Sequence, residues 1–136
     1  MKRVVHVVAA ALIDAQNRVL VAQRPAGKSL AGLWEFPGGK LEPGEGPEAA
    51  LVRELAEELA IDVAVSALQP LTFVSHDYDD FHLVMLLYTC RRWNGDPQGQ
   101  QGQPLRWEHA AALDALAMPP ADVPLIASLK AFVAAA

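Results

Sequence analysis

The sequence contains almost no cysteine, no long apolar run and no excess of basic residues, and each shortage excludes a class of protein. Cys90 is the single cysteine among 136 residues, so no disulfide can form within the chain. Its place in the apolar run LVMLLYTC favours a buried strand thiol over a nucleophile. No stretch reaches the roughly 18 apolar residues of a membrane span. We therefore expect a cytoplasmic protein that does not enter a membrane.

Acidic residues outnumber basic ones, which argues against duplex nucleic acid as a partner. The net charge is −5, whereas a general grip on DNA or RNA phosphates requires a basic patch. A small anionic ligand is compatible with this charge if a metal ion bridges the ligand to the protein. The length and the ordinary globular composition predict one compact domain over residues 1–136, which we expect to be a monomer.

Hydrophobic patterns predict an α/β domain. Residues 3–13 and 18–24 read as two strands around the turn 14–17, so we expect them to form a hairpin. Further strands are predicted at 34–36, 71–75, 82–92 and 105–108, and helices at 47–60, 110–115 and 122–133. Pro37-Gly38-Gly39 should end the strand at 34–36. Several strands with one central and one terminal helix favour a mixed sheet between the two helices, an α/β/α arrangement.

Three carboxylates, on Glu54, Glu57 and Glu58, share one face of the predicted central helix. The helix contains no lysine, and like charges at this spacing destabilise a helix unless a cation neutralises them. A solvated face paired with Arg53 is the common explanation of a charged helix. Here the clustering of the acids favours a bound Mg²⁺ ion, which prefers oxygen ligands. The glycine pair at 38–39, just upstream, offers backbone carbonyls as further oxygen ligands.

A magnesium site of this kind suits hydrolysis at phosphorus. The metal neutralises charge on a polyphosphate and lowers the pKa of an attacking water, while a carboxylate at the edge of the cluster takes the proton. The GxxxxGK[ST] spacing of a P-loop is absent. Binding of phosphates through a metal is therefore favoured over binding by backbone N–H groups alone.

The same stretch resembles the Nudix box: Gly39, five residues, Glu45, seven residues, and then RELAEELAI at 53–61. The segments WEFPGGK, GDPQGQQGQP and PPADVPLI are similar to the MutT branch of that superfamily, so the resemblance covers nearly the whole chain. It implies the Nudix α/β/α sandwich and Mg²⁺-dependent hydrolysis of a nucleoside triphosphate to monophosphate and pyrophosphate, with Mn²⁺ as a substitute metal. In the MutT branch the substrate is 8-oxo-dGTP, and the role is to sanitise the nucleotide pool.

The resemblance also implies roles for individual residues. The metal ligands would be the Gly38 carbonyl and the carboxylates of Glu54, Glu57 and Glu58, with Glu54 as the candidate base. Arg53 would orient these carboxylates by charge-assisted hydrogen bonds. Gly39 and Glu45 would be supporting residues of the box. The substrate-binding positions would be Arg24, Phe36, Lys40, Leu83 and Asp122.

Three positions depart from the pattern. Ala60 stands where the box has Gly, which suits a left-handed helix end, so we expect a slightly different helix exit with catalysis retained. Gln101 stands in a loop where MutT relatives offer a glutamate, and an amide cannot act as a base. The loop itself could close over the site. Asp122 replaces the Asn of MutT, and an ionised Asp only accepts hydrogen bonds. Asp122 could also cap the last helix, and the two roles can coexist.

Two alternatives to hydrolysis of 8-oxo-dGTP follow from these departures. Relatives with Asp at the position of Asp122 include enzymes that act on cytidine nucleotides, which makes CTP, dCTP or a modified dCTP a second candidate substrate. The departures at Ala60 and Gln101 motivate a non-catalytic nucleotide-binding domain. The complete set of box acids argues against that third reading.

Overall fold

The computed structural model describes residues 2–27 and 30–135. Within them the chain forms strands and helices that we label in chain order: β1 (Arg3–Leu12), β2 (Arg18–Gln23), β3 (Trp34–Glu35), β4 (Gly38–Lys40), α1 (Pro47–Leu59), β5 (Leu68–Asp77), β6 (Phe81–Cys90), β7 (Leu105–His109) and α2 (Val123–Ala134). Two 3₁₀ turns lie at Val65–Ala67 and Ala110–Ala115.

The larger sheet has the strand order β4-β1-β6-β5. The central strands β1 and β6 are parallel, with Arg3 opposite Phe81 and Leu12 opposite Cys90, and the two outer pairs are antiparallel. The second half of β1 is buried on both faces, which explains why its sequence is continuously apolar and does not alternate. The predicted mixed sheet is therefore confirmed.

The helix α1 covers one face of this sheet because its apolar residues recur every four positions. Leu51, Leu55 and Leu59 are fully buried and pack in one core cluster with Val8 and Leu12 of β1. Between these leucines, Glu54 and Glu58 lie against β4, the edge strand of the sheet. The hydrophobic pattern of α1 thus positions the acids.

The helix α2 covers the opposite face. Leu125, Ile126 and Leu129 are buried in a second core cluster that also contains Ala9 and Leu87 from the two central strands. The sheet therefore lies between α1 and α2, as the sequence predicted. No helix in the described part of the chain is long and apolar enough to span a membrane.

The predicted hairpin of residues 3–13 and 18–24 is wrong. The turn forms, since Asp14 accepts hydrogen bonds from the Arg18 backbone and guanidinium, but β2 joins a separate sheet of order β3-β2-β7. Within the described residues the two strands share no ladder and are connected by an isolated bridge between Ile13 and Val19 and by a turn hydrogen bond from Asp14 to Arg18. The reason is that β1 already has β4 and β6 as neighbours, so β2 finds no free edge beside it.

The glycines at 38 and 39 begin a strand, β4, where the sequence predicted only the end of one. Gly38 lies opposite Ala9 and Gly39 opposite Val8 in the antiparallel pair with β1. A Cβ atom on Gly38 would overlap the backbone carbonyl of Val8. The missing side chain therefore allows this short strand to approach β1 closely.

The helix α1 ends at Leu59, and Ala60 adopts the left-handed conformation with φ 58°. The expectation of a different helix exit is thus wrong, because Ala60 takes the conformation that a glycine would take. The backbone carbonyls at this end bind the loop 94–104: the N–H of Gln98 donates to Leu59 and the N–H of Gln100 donates to Glu58, both at 3.0 Å. This loop therefore satisfies the unpaired carbonyls of the helix end.

Cys90 is a buried free thiol at the end of β6, as the sequence predicted. Its Sγ donates to the backbone carbonyl of Arg92, and burial raises the pKa of the thiol. Both features make it a structural residue and a poor nucleophile.

Candidate active site

The carboxylate of Glu54 lies directly against the backbone of β4. A Cβ atom built on Gly39 would stand 2.5 and 2.6 Å from the two carboxylate oxygens of Glu54. Any side chain at position 39 would therefore displace that carboxylate. Position 39 must be a glycine to leave room for the Glu54 carboxylate. This is the carboxylate that the sequence predicts to be a metal ligand and the base.

Arg53 binds the acids on both sides of it. Its Nε and Nη2 each donate to one carboxylate oxygen of Glu45 at 2.8 Å, a bidentate pair. Its Nη1 donates to Glu54 at 3.0 Å and to Glu57 at 3.3 Å, and Nη2 also reaches the carbonyl of Lys40. These contacts join the loop before α1, the strand β4 and the helix face through one guanidinium.

The pKa values follow from this pairing. Arg53, followed by the backbone N–H of Glu42, lowers the pKa of Glu45 to about 2. The hydrogen bond that Arg53 donates to Glu45 in turn raises the pKa of Arg53. Both groups are therefore fully charged at neutral pH, and Glu45 holds Arg53 as an ionised carboxylate.

Glu58 has the opposite electrostatic environment. Burial, followed by the neighbouring charges of Glu54 and Glu35, raises its pKa to about 8, against the lowering effect of a hydrogen bond from the Gly38 backbone. Two carboxylates in contact cannot both ionise cheaply without a cation. Glu58 forms no ion pair with another described residue. The pair Glu54–Glu58, with Gly38 beside it, therefore has the donor chemistry that fits a divalent metal ion.

Glu57 lies at the edge of this group. Its side chain is 61% exposed and bound to Arg53. Among residues 2–27 and 30–135, no group of three or more His, Cys, Asp or Glu side chains is arranged to hold a metal ion. The structure therefore brings Glu54 and Glu58 together, whereas Glu57 would have to turn from Arg53 to join them.

Two adjoining cavities lie on the side of the sheet edge where Glu58 is exposed to the inner one. The inner cavity, of about 370 Å³, is lined by the glycine strand and Glu58 and by four of the five predicted substrate-binding residues: Arg24, Phe36, Lys40 and Asp122. The outer cavity, of about 580 Å³, is lined by Leu83 together with Tyr78 and Phe81. Both volumes lie in the range of small-molecule sites.

Asp122 is buried to 5% exposure and does not cap α2. It stands at the N-cap position without a side-chain cap hydrogen bond, and its Oδ2 accepts the backbone N–H of Phe36 at 3.3 Å. The expectation of a helix cap is thus wrong. Burial raises the pKa of Asp122 to about 7, the Phe36 hydrogen bond lowers it and the charge of Glu35 raises it further.

Sequence reasoning missed two residues of the site. Glu35 accepts a hydrogen bond from Arg24 at 2.9 Å and lines both cavities. Gln103 lines the inner cavity and donates from its amide to the backbone carbonyl of Glu58 at 3.4 Å. The only hint of Glu35 was its place next to Phe36 in the strand at 34–36. Gln103 became part of the site through the docking of its loop, which no local pattern predicts.

Comparison with known proteins decides what this arrangement is. A family model described as a NUDIX domain matches residues 8–128. The chain belongs to the NUDIX domain family. NUDIX hydrolases generally use divalent metal ions, in agreement with the acidic pair on α1.

Curated relatives of this NUDIX protein act on nucleotides. The 8-oxo-dGTP diphosphatase of Escherichia coli (strain K12) is 40% identical over 114 residues, which are 84% of this chain and 87% of the relative. The CTP pyrophosphohydrolase of the same strain is 39% identical over 132 residues, which are 94% of this chain and 93% of the relative. The predicted resemblance to the MutT branch is confirmed.

Solved structures agree in fold over almost the whole chain. The ORF135 protein of E. coli matches with a TM-score of 0.85 and 34% identity, covering 98% of this chain and 94% of that one. A MutT structure from work on Aliivibrio salmonicida and Vibrio cholerae matches with a TM-score of 0.81 and 33% identity, covering 95% and 98%. The NUDIX sandwich is thus confirmed as the fold.

Proposed function

We propose that this NUDIX protein hydrolyses 8-oxo-dGTP to 8-oxo-dGMP and pyrophosphate, and so removes an oxidised nucleotide from the pool that supplies DNA synthesis. The observation that carries the proposal is the partly buried pair of Glu54 and Glu58, packed beside the glycines of β4, with Glu58 lining a cavity of ligand size. The 40% identity to an 8-oxo-dGTP diphosphatase supports the choice of substrate.

The residues of the pair fit a divalent cation, which we take to be Mg²⁺, with Mn²⁺ as a substitute. The Gly38 carbonyl and the carboxylates of Glu54, Glu57 and Glu58 would hold it, all of them hard oxygen donors. When bound, the cation neutralises charge on the phosphates and lowers the pKa of an attacking water.

Side chains of the protein take the proton, position the base and bind the phosphates. Glu54 accepts the proton of the attacking water, and Arg53 fixes the Glu54 carboxylate for that purpose through the hydrogen bond at 3.0 Å. Glu45 holds Arg53 in turn. Lys40 lines both cavities and supplies positive charge for the phosphates.

The base is read at the junction of Asp122 and the Phe36 backbone. An ionised Asp122 only accepts hydrogen bonds, whereas a protonated one both donates and accepts, as the Asn of MutT does. Because burial raises the pKa of Asp122 to about 7, both forms are present near neutral pH. The protonated form suits the edge of an oxidised purine.

The same residue supports a second candidate substrate, CTP, dCTP or a modified dCTP. An ionised Asp122 accepts from the exocyclic amino group of cytosine, a pairing that aspartate makes with this base in other complexes. The 39% identity to a CTP pyrophosphohydrolase over 132 residues favours this alternative as well.

A panel of nucleoside triphosphates tests the proposal. Purified protein with Mg²⁺ is incubated with 8-oxo-dGTP, dGTP, CTP and dCTP, and pyrophosphate and orthophosphate are measured separately. We expect pyrophosphate and the highest kcat/KM for 8-oxo-dGTP. A preference for CTP or dCTP supports the second candidate. Binding of nucleotides without turnover of any of them supports the non-catalytic reading and contradicts both.

We further propose that residues 1–136 form one domain that acts as a monomer in the cytoplasm, where the nucleotide pool is used. All of the proposed site residues belong to a single copy of the chain, so no partner copy is needed to complete the site. Sedimentation of the active enzyme as a species of 14.6 kDa is the expected result.

A further inference from the structure

The two cavities meet at a junction, defined as the residues that line both of them. This junction contains most of the acidic and basic residues that line either cavity. Six residues line both: Val7, Arg24, Glu35, Lys40, Met85 and Asp122. Val7 and Met85 form an apolar floor, and the other four are charged or titratable. A ligand that occupies both cavities must cross these four groups.

The proposed function places different parts of a nucleotide on the two sides of this junction. The phosphates belong in the inner cavity, beside Glu58 and the glycines of β4. The base belongs toward the outer cavity, where Tyr78, Phe81 and Leu83 supply apolar surface. The sugar joins base and phosphates, so it has to lie at the junction.

Glu35 has one carboxylate oxygen in a fixed contact and one available. Its Oε2 accepts the hydrogen bond from Arg24 Nη1 at 2.9 Å, and Oε1 accepts no hydrogen bond from the described residues. The side chain is 31% exposed, so a ligand can reach it. The position of the carboxylate is fixed by strand pairing as well, since Glu35 lies opposite Ala22 between β3 and β2.

We propose that Glu35 binds the sugar of the nucleotide by accepting a hydrogen bond from a sugar hydroxyl on Oε1, while Arg24 holds Oε2. This inference rests on the proposed function, and it makes Glu35 a determinant of sugar specificity. A carboxylate is the fitting group because it only accepts, whereas every sugar hydroxyl can donate. The same chemistry recurs where an acidic residue binds the ribose of dinucleotides.

The test compares substrates that differ only in sugar hydroxyls. For guanine and cytosine triphosphates, kcat/KM is measured with the ribo, 2′-deoxy, 3′-deoxy and 2′,3′-dideoxy sugars. For the wild type we expect removal of the contacted hydroxyl to lower kcat/KM about 10- to 100-fold, the value of a hydrogen bond to a charged group. In Glu35→Ala that ratio should fall to nearly 1, and in Glu35→Gln, which keeps a neutral acceptor, it should be intermediate.

A purely structural role for Glu35 predicts a different result. If Glu35 only held Arg24 in place, Glu35→Ala would lower kcat/KM equally for all sugars and leave the ratios as in the wild type, which would overturn the inference. Glu108→Ala is the matched control, because Glu108 pairs with Arg106 on the neighbouring strand β7 and lines neither cavity. It should leave both kcat/KM and the ratios unchanged.

Failure of the inference can be told from failure of the proposed function. If the wild type hydrolyses neither 8-oxo-dGTP nor any nucleotide of this series, the proposed function is wrong, and calorimetry with the corresponding monophosphates supplies the same comparison of sugars. A hydroxyl-dependent dissociation constant that becomes independent of the hydroxyl in Glu35→Ala supports the role of Glu35. Turnover with unaltered sugar ratios in that variant contradicts it.

Discussion

Gly39 leaves the space that the carboxylate of Glu54 occupies. The three heavy atoms nearest to a Cβ at this position all belong to the end of the Glu54 side chain, which can rotate away without disturbing the core. Gly38 differs, because a Cβ there would overlap the backbone of β1 itself. The two glycines of one short strand therefore have separate structural roles: Gly39 leaves room for the Glu54 carboxylate, and Gly38 lets β4 approach β1.

Gly39→Ala should lower kcat about 100-fold while leaving the protein folded. The methyl group displaces the Glu54 carboxylate, and a shift of about 1 Å at a catalytic group costs on the order of 100-fold in rate. Steady-state kinetics and thermal unfolding measure the two effects. Gly46→Ala is the matched control, because a Cβ there meets open space. A Gly39→Ala enzyme with wild-type kcat would contradict the assigned position of Glu54.

The C-terminal end of α1, which follows its acidic residues directly, has a strained backbone. Ala60 has φ 58°, a conformation that costs a residue with a side chain about 1 kcal/mol relative to glycine. The loop 94–104 partly offsets this cost by donating two backbone hydrogen bonds to the last carbonyls of the helix. The exit is therefore held in the left-handed form although the sequence lacks the usual glycine.

Ala60→Gly should raise the free energy of unfolding by about 0.5 to 1 kcal/mol, because glycine adopts the left-handed conformation without the Cβ clash. Urea denaturation followed by circular dichroism measures the change. Ala56→Gly, in the exposed interior of the same helix, is the control and should lose about 1 kcal/mol. Loss of stability in both variants would mean that Ala60 is not strained.

The sequence was sufficient to predict α1 and its acids, because leucines at 51, 55 and 59 and the intervening glutamates define both faces locally. It was insufficient for β4 and for the partner of β2, since pairing depends on which strands already flank β1. Asp122 looked like a cap because Asp is common there. Its contact with Phe36 depends on how α2 packs on the sheet, which only the tertiary structure supplies.

At the scale of the whole molecule, the two raised carboxyl pKa values make stability depend on pH. Glu58 and Asp122 have pKa values of about 8 and 7 in the folded protein, against 4.5 and 3.8 as ordinary values. Between about pH 4 and 8 the native state therefore binds more protons than the unfolded state. The free energy of unfolding falls as the pH rises through this window. Glu45, with a pKa of about 2, adds no slope above about pH 5.

The melting temperature of the metal-free protein should therefore decrease from pH 5 to pH 8. Glu58→Gln and Asp122→Asn should each flatten this decrease, because neither variant has a proton to lose at that position. Mg²⁺ should raise the melting temperature most at pH 8, where its binding favours ionised Glu58. Calorimetry in chelator and in Mg²⁺ measures these effects. A melting temperature that rises steadily over this window would contradict the environments described for both carboxyls.

The central claim is that the carboxylate of Glu54, fixed by Arg53 and Gly39, carries the chemistry. Glu54→Gln keeps the shape of the side chain and removes its charge, so its kcat for pyrophosphate release tests that claim most directly. We predict a loss of about 100- to 10,000-fold at unchanged melting temperature, the contribution of a positioned general base. Glu108→Gln serves as the control carboxyl and should retain full activity. A Glu54→Gln enzyme that releases pyrophosphate at the wild-type rate would contradict the account.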